Sequence, residues 1–177
     1  AQYLPEVLRA FLITKHYRSP IDFTFAAMDE AEKGLRRIYD TKARIEVELE
    51  RSKWSKSPLP EEIATELGGF EDQFDRAMDD DLNTAAALGH VFGAVRLANR
   101  VLEDKTLRKA EAARELFTRL MADFSTWGAE LGIMTRPAGE FLAELKAAKA
   151  RRKGIDTARV EELVQARQQA RKDKDFS

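Results

Sequence analysis

Between Phe74 and Leu102 the chain carries the pattern that leaves it the least choice of fold. Leu88, Val91, Phe92, Val95, Asn99 and Leu102 recur at steps of three and four, the spacing of one helix face. Ahead of them stands Met78-Asp79-Asp80-Asp81-Leu82-Asn83-Thr84, a cluster of polar capping residues between two apolar runs. A short helix over residues 70–78 that turns sharply into a longer one accommodates both halves. Thr84 is placed to accept from an unpaired backbone N–H of the first turn, and the carboxylates favour the positive end of the helix dipole. Asn99, an amide on the apolar stripe, requires hydrogen-bond partners from a neighbouring helix. Asp79, Asp81 and Asn83 have the spacing that opens a calcium loop. Thr84, however, stands where such a loop needs Gly and His90 where it needs a bidentate Glu.

The rest of the chain favours the same architecture. Only 9 Gly and 5 Pro in 177 residues, with strand-type alternation almost absent, predict an all-α protein, an antiparallel helical bundle. The periodicity predicts helices over residues 5–15, 25–51, 106–131, 137–153 and from the Asp156 N-cap to about residue 176, with Gly132 and Gly154 as stops and Trp127 in the core. Residues 53–69, rich in Pro and Ser at their start, read as a mobile linker with at most one short helix around residues 61–67. There is no apolar run of about 18 residues and no secretory signal, which gives no support to a membrane or to export. The absence of cysteine excludes disulfides and thiol catalysis from this chain and fits a cytoplasmic setting.

The net charge of −1 conceals an asymmetry, because from Lys146 onward ten Lys and Arg stand against five Asp and Glu. On the last predicted helix Val160, Leu163 and Val164 form an apolar stripe, and at about 100° per residue Arg167, Arg171 and Lys174 continue it. A face that begins apolar and turns basic is leaving its own core for another partner, and a polyanion fits the charge. His16 and Arg18 have no Ser, Cys or metal-ligand motif beside them, so a structural or ligand-facing role is expected rather than chemistry.

Three ordered segments resemble one family. Leu4-Pro5-Glu6-Val7-Leu8-Arg9 with His16-Tyr17-Arg18-Ser19-Pro20 is similar to the segment just past the KMSKS loop of cysteinyl-tRNA synthetases. Phe74-Asp75-Arg76-Ala77-Met78-Asp79-Asp80-Asp81-Leu82-Asn83-Thr84 resembles the opening of their DALR-type helical bundle, with Ala85 where family members usually place Pro. Arg167-Gln168-Gln169-Ala170-Arg171-Lys172-Asp173-Lys174-Asp175-Phe176 resembles a motif near their C-terminus, with Phe176 where Trp is frequent. Lys53-Trp54-Ser55-Lys56-Ser57 differs by one residue from KMSKS, but it stands after the His-Tyr-Arg-Ser-Pro segment instead of preceding it and runs into Pro58, so it reads as coincidence.

The resemblance implies a C-terminal piece of an ATP-dependent ligase that attaches cysteine to its tRNA. Residues 1–24 would end a stem-contact region, 25–52 would be a long bundle helix, 53–69 the linker and 70–135 the bundle core. Residues 136–177 would be basic helices leading to an anticodon-binding domain. Arg167, Arg171, Lys172, Lys174, Phe176 and Arg18 are the expected tRNA ligands, with Phe176 stacking on a base. Zinc, and ATP with magnesium, are implied for the full-length enzyme. No cofactor is expected on this piece, which should be inactive alone, monomeric and cytoplasmic. Two other readings stay open: the matching domain of a mycothiol-pathway cysteine ligase, and a helical protein-interaction or dimerisation module.

Overall fold

The computed structural model describes residues 3–173, and among them the chain is helical without a strand. The elements are α1 (Pro5–Leu12), α2 (Phe25–Leu49), α3 (Glu61–Asp79), α4 (Thr84–Glu103), a 3₁₀ turn (Leu107–Lys109), α5 (Glu111–Leu131), α6 (Ala138–Arg152) and α7 (Thr157–Asp173). α2 is the hub, touching α1, α4, α5 and α6, while α3 lies along α4. It begins where the Thr24 hydroxyl accepts from the Ala27 N–H at 3.1 Å, which satisfies one orphan donor of the first turn. Leu35, Ile38, Tyr39 and Ile45 then join Val91, Val95 and Ala98 of α4 and Phe117, Leu120 and Phe124 of α5 in one buried cluster. Trp127 lies in that core, stacked on Phe74 with ring centroids 5.2 Å apart. Each such fully buried side chain contributes about 1.5–3 kcal/mol of transfer free energy. No described helix is long and apolar enough to cross a membrane.

Two expectations need correction. The expected linker is cut short, because α3 starts at Glu61 and runs unbroken to Asp79, through Gly68 and Gly69. Its apolar residues explain this: Ile63, Phe70, Phe74 and Ala77 are buried, and the Phe70 ring fills the space over Gly93, where an added Cβ would lie 2.6 Å from it. Burial on a neighbouring helix outweighs the low helix propensity of two glycines, about 1 kcal/mol each. The cap of α4 is Asn83 instead of Thr84, its side-chain oxygen accepting from the Ala86 N–H at 3.1 Å. Asp81 and Leu82 both take left-handed backbone angles, φ 55° and 54°, and this tight corner leaves Thr84 inside the helix.

A buried polar knot holds α1 against the loop between α5 and α6. The Glu6 carboxylate accepts from the Tyr39 hydroxyl at 2.8 Å and from the Met134 N–H at 2.7 Å. Lys42 donates to the Met134 carbonyl at 2.6 Å, and burial pulls its ammonium below the ordinary lysine range. The Tyr39 hydroxyl is pushed well above its usual range by burial and by the Glu6 carboxylate, so it remains a donor. Arg9 of α1 donates to the carbonyl of Gly132, which ends α5 at φ 66°.

Candidate nucleic-acid interface

The acidic corner between α3 and α4 is a junction. Asp81 accepts from the Tyr17 hydroxyl at 2.9 Å and pairs with the Arg18 guanidinium at 3.0 Å, with His16 Nε2 at 3.6 Å. His16 in turn stacks on Tyr17, and Arg18 lies over the Tyr17 ring. The hydrogen bond to Asp81 raises the Tyr17 phenol above its ordinary pKa, which keeps it protonated. Arg18, an expected RNA ligand, pairs with Asp81 while its side chain stays largely exposed, and its segment is clasped to the motif that opens α4.

The loop after α2 has a structural task. The Ser55 carbonyl accepts from the Glu111 N–H and the Ser55 N–H donates to the Lys109 carbonyl, both at 2.8 Å. Ala110, the residue ahead of α5, offers no side-chain cap, so the Ser55 backbone serves one orphan donor of that helix. The zinc implied by the resemblance finds no donor set here. The chain has no Cys, and among the described residues no three His, Asp or Glu side chains converge.

α7 leaves the body. Gly154, at φ 64°, turns the chain after α6, and Asp156 caps the new helix by accepting from the Ala158 and Arg159 N–H groups at 3.0 and 3.1 Å. The end of α6 is anchored by Arg152, which forks onto the buried Glu32 of α2 at 2.9 and 3.0 Å. Beyond the turn the apolar stripe stays uncovered, with Val160, Leu163 and Val164 each about half exposed. Arg167 and Arg171 are exposed on the same side and make no ion pair with the described residues. The Lys172 side chain, Lys174 and Phe176 lie outside what the structure describes.

A second cationic surface has no counterpart in any sequence motif. α2, α4 and α6, with the start of α7, enclose an open groove of about 1350 Å³, lined by nine Lys and Arg against four Asp and Glu. Some of these cations are spoken for: Arg36 pairs with Asp40 at 3.2 Å, Arg100 with Glu66 at 2.7 Å and Lys149 with Glu32 at 3.6 Å. Arg37, Arg96, Lys146 and Lys153 are exposed and form no ion pair with the described residues. Asn99 stands at the groove wall, donating to the Thr41 hydroxyl at 2.8 Å and accepting from Arg44, which fixes α4 to α2 there.

Against known proteins, residues 73–134 match the DALR domain model. Over 98% of its length the chain is 59% identical to a cysteine–tRNA ligase of Oleidesulfovibrio alaskensis, and over 99% it is 58% identical to that of Nitratidesulfovibrio vulgaris strain Miyazaki F. The cysteine–tRNA ligase of Lawsonia intracellularis is 39% identical over 98% of the chain. In each case the chain spans 36% of the relative's length. Over the whole stretch it spans, the chain is similar to cysteine–tRNA ligases, and residues 73–134 match the DALR domain.

Proposed function

We propose that this chain is the tRNA-facing part of a cysteine–tRNA ligase, acting in the cytoplasm as a monomer and holding the inner side of the tRNA while α7 points towards the anticodon. The observation that carries the reading is the exposed α7 face on which Arg167 and Arg171 succeed one another without a carboxylate partner among the described residues. Phosphate contacts from such a face supply affinity and register, and base contacts supply specificity. Cysteine activation with ATP and magnesium, and the zinc that the resemblance implies, belong on this reading to a catalytic part of the ligase outside these residues. The role of the present chain is to position the tRNA.

The test is binding of a cysteine-specific tRNA transcript to the chain, monitored by fluorescence anisotropy across a salt series. Replacing Arg167 and Arg171 with Ala should weaken binding and reduce the slope of log K against log salt by about 1 per phosphate contact removed. Unchanged affinity and slope would count against the assignment. The exposed stripe of Val160, Leu163 and Val164 supports a second reading, a dimerisation module. A salt-insensitive dimer in sedimentation, lost on Leu163→Glu, would favour that reading over the first.

A further inference from the structure

The groove between α2, α4 and α6 takes in the start of α7 at Val160 and Glu161 and is not lined by Arg167 or Arg171, and its chemistry narrows the ligand. Its cations come from three helices and converge on one cleft: Arg37 from α2, Arg96 from α4, Lys146 from α6 and Lys153 from the residue that caps α6. All four are exposed and form no ion pair with the described residues, so their charge is available to a ligand. Val95 and Leu145, both almost fully buried, give the cleft a low-dielectric floor, which focuses the field of the charges around it. Lys146, Lys149 and Lys153 lie along one side of α6 and its cap, so the cationic wall runs for about 10 Å at 1.5 Å per residue.

What the lining lacks is equally specific. Among the described residues no Phe, Tyr, Trp or His borders the groove. Unpaired bases are usually held by stacking on aromatic rings, so a single strand would find little purchase here beyond its phosphates. A duplex hides its bases and presents its backbone, and protein recognition of duplex RNA relies on phosphate and 2′-hydroxyl contacts.

We propose that this groove is a phosphate cradle for the backbone of an RNA duplex, a binding site whose cations are other than Arg167 and Arg171 of α7. It rests on the reading that the chain binds RNA, and it adds where a base-paired stem would lie and which residues would hold it. Arg37, Arg96, Lys146 and Lys153 meet the phosphates. Arg36, Lys149 and Arg100, already paired, shape the rim and contribute less.

The experiment uses the whole 177-residue chain and a short RNA hairpin whose stem and loop sequences are unrelated to tRNA. The expected result is binding to the hairpin whose salt slope falls by about 1 for each of Arg37→Ala, Arg96→Ala, Lys146→Ala and Lys153→Ala. Lys146→Glu with Lys153→Glu should weaken it at least about tenfold, as loss of several phosphate contacts does. Arg167→Ala with Arg171→Ala should leave hairpin binding in place. These side chains are exposed, and an unchanged helical circular dichroism spectrum verifies that each variant folds.

Hairpin affinity and slope indifferent to the four groove variants would overturn the proposal, as would failure of the wild-type chain to bind the hairpin at low salt. Competition by poly-glutamate as strong as by RNA of equal charge would also overturn it, in favour of an acidic protein partner. The two sites fail separately. Sensitivity of the hairpin to groove variants with a tRNA indifferent to the α7 variant sinks the α7 assignment alone, and the converse pattern sinks the cradle alone.

Discussion

At Glu6 a single carboxylate oxygen accepts two hydrogen bonds, from Tyr39 and from the Met134 backbone, while the Lys42 ammonium binds the carbonyl of that same methionine. Because Glu6, Tyr39 and Met134 are all buried, removing the acceptor strands a phenol and an N–H group without water to replace it. Glu6→Ala should therefore cost about 2–4 kcal/mol in urea unfolding, well beyond a surface substitution on α1. A loss within a few tenths of a kcal/mol would show that the knot is not the fastening of α1. The sequence offered no sign of it, since Tyr39 and Met134 stand 33 and 128 positions away from Glu6. Asn99 was legible, because an amide on an apolar helical stripe must be bonded to a neighbour, and it bonds Thr41 of α2. Asn83 gave way to Thr84 in the sequence reading because the cap is set by a pair of left-handed residues, and Leu82, the second of them, is a residue type that seldom adopts such angles.

Among the elements, periodicity placed α2, α4, α5 and α6 within a few residues of their observed bounds, and Gly132 and Gly154 both stand at helix ends with positive φ, as stops should. Of α3 only the continuity escaped, because the Gly pair and the Pro and Ser ahead of it split the reading into a short helix around residues 61–67 and another over 70–78. Only the contact with α4 shows that Ile63, Phe70 and Phe74 are buried. The turn between α5 and α6 is a tight joint. A Cβ on Gly128 would lie 2.5 Å from the Ile133 carbonyl oxygen, a backbone atom that cannot rotate away. Gly128→Ala should destabilise the chain by about 1–3 kcal/mol through overpacking, despite the better helix propensity of Ala. Thermal unfolding checks this, and a raised melting temperature would mean that propensity governs the joint.

Across the whole molecule, the anionic and cationic groups are sorted by place more than by number. The net charge is −1, yet the cleft of α2, α4 and α6 and the stretch of α7 that carries Arg167 and Arg171 both expose cations. The α7 face could be read from the sequence because its residues lie on one helix at a fixed spacing. The cleft could not, because Arg37, Arg96 and Lys146 are brought together only when three helices pack, and each looks like an ordinary solvated charge in its own segment. Arg18 is exposed as the sequence suggested, and the fold adds its pairing with Asp81, which no local pattern shows.

The central claim is that these two positive surfaces lie against a folded RNA. Lysine labelling with an acetylating reagent, read by mass spectrometry with and without saturating cysteine-specific tRNA, tests it most directly. The account predicts severalfold slower labelling of Lys146 and Lys153 in the groove and of Lys172 on α7, with Lys53 and Lys56 beyond α2 unaffected. Equal labelling of the groove and α7 lysines in both states, at a tRNA concentration where binding is complete, would contradict it.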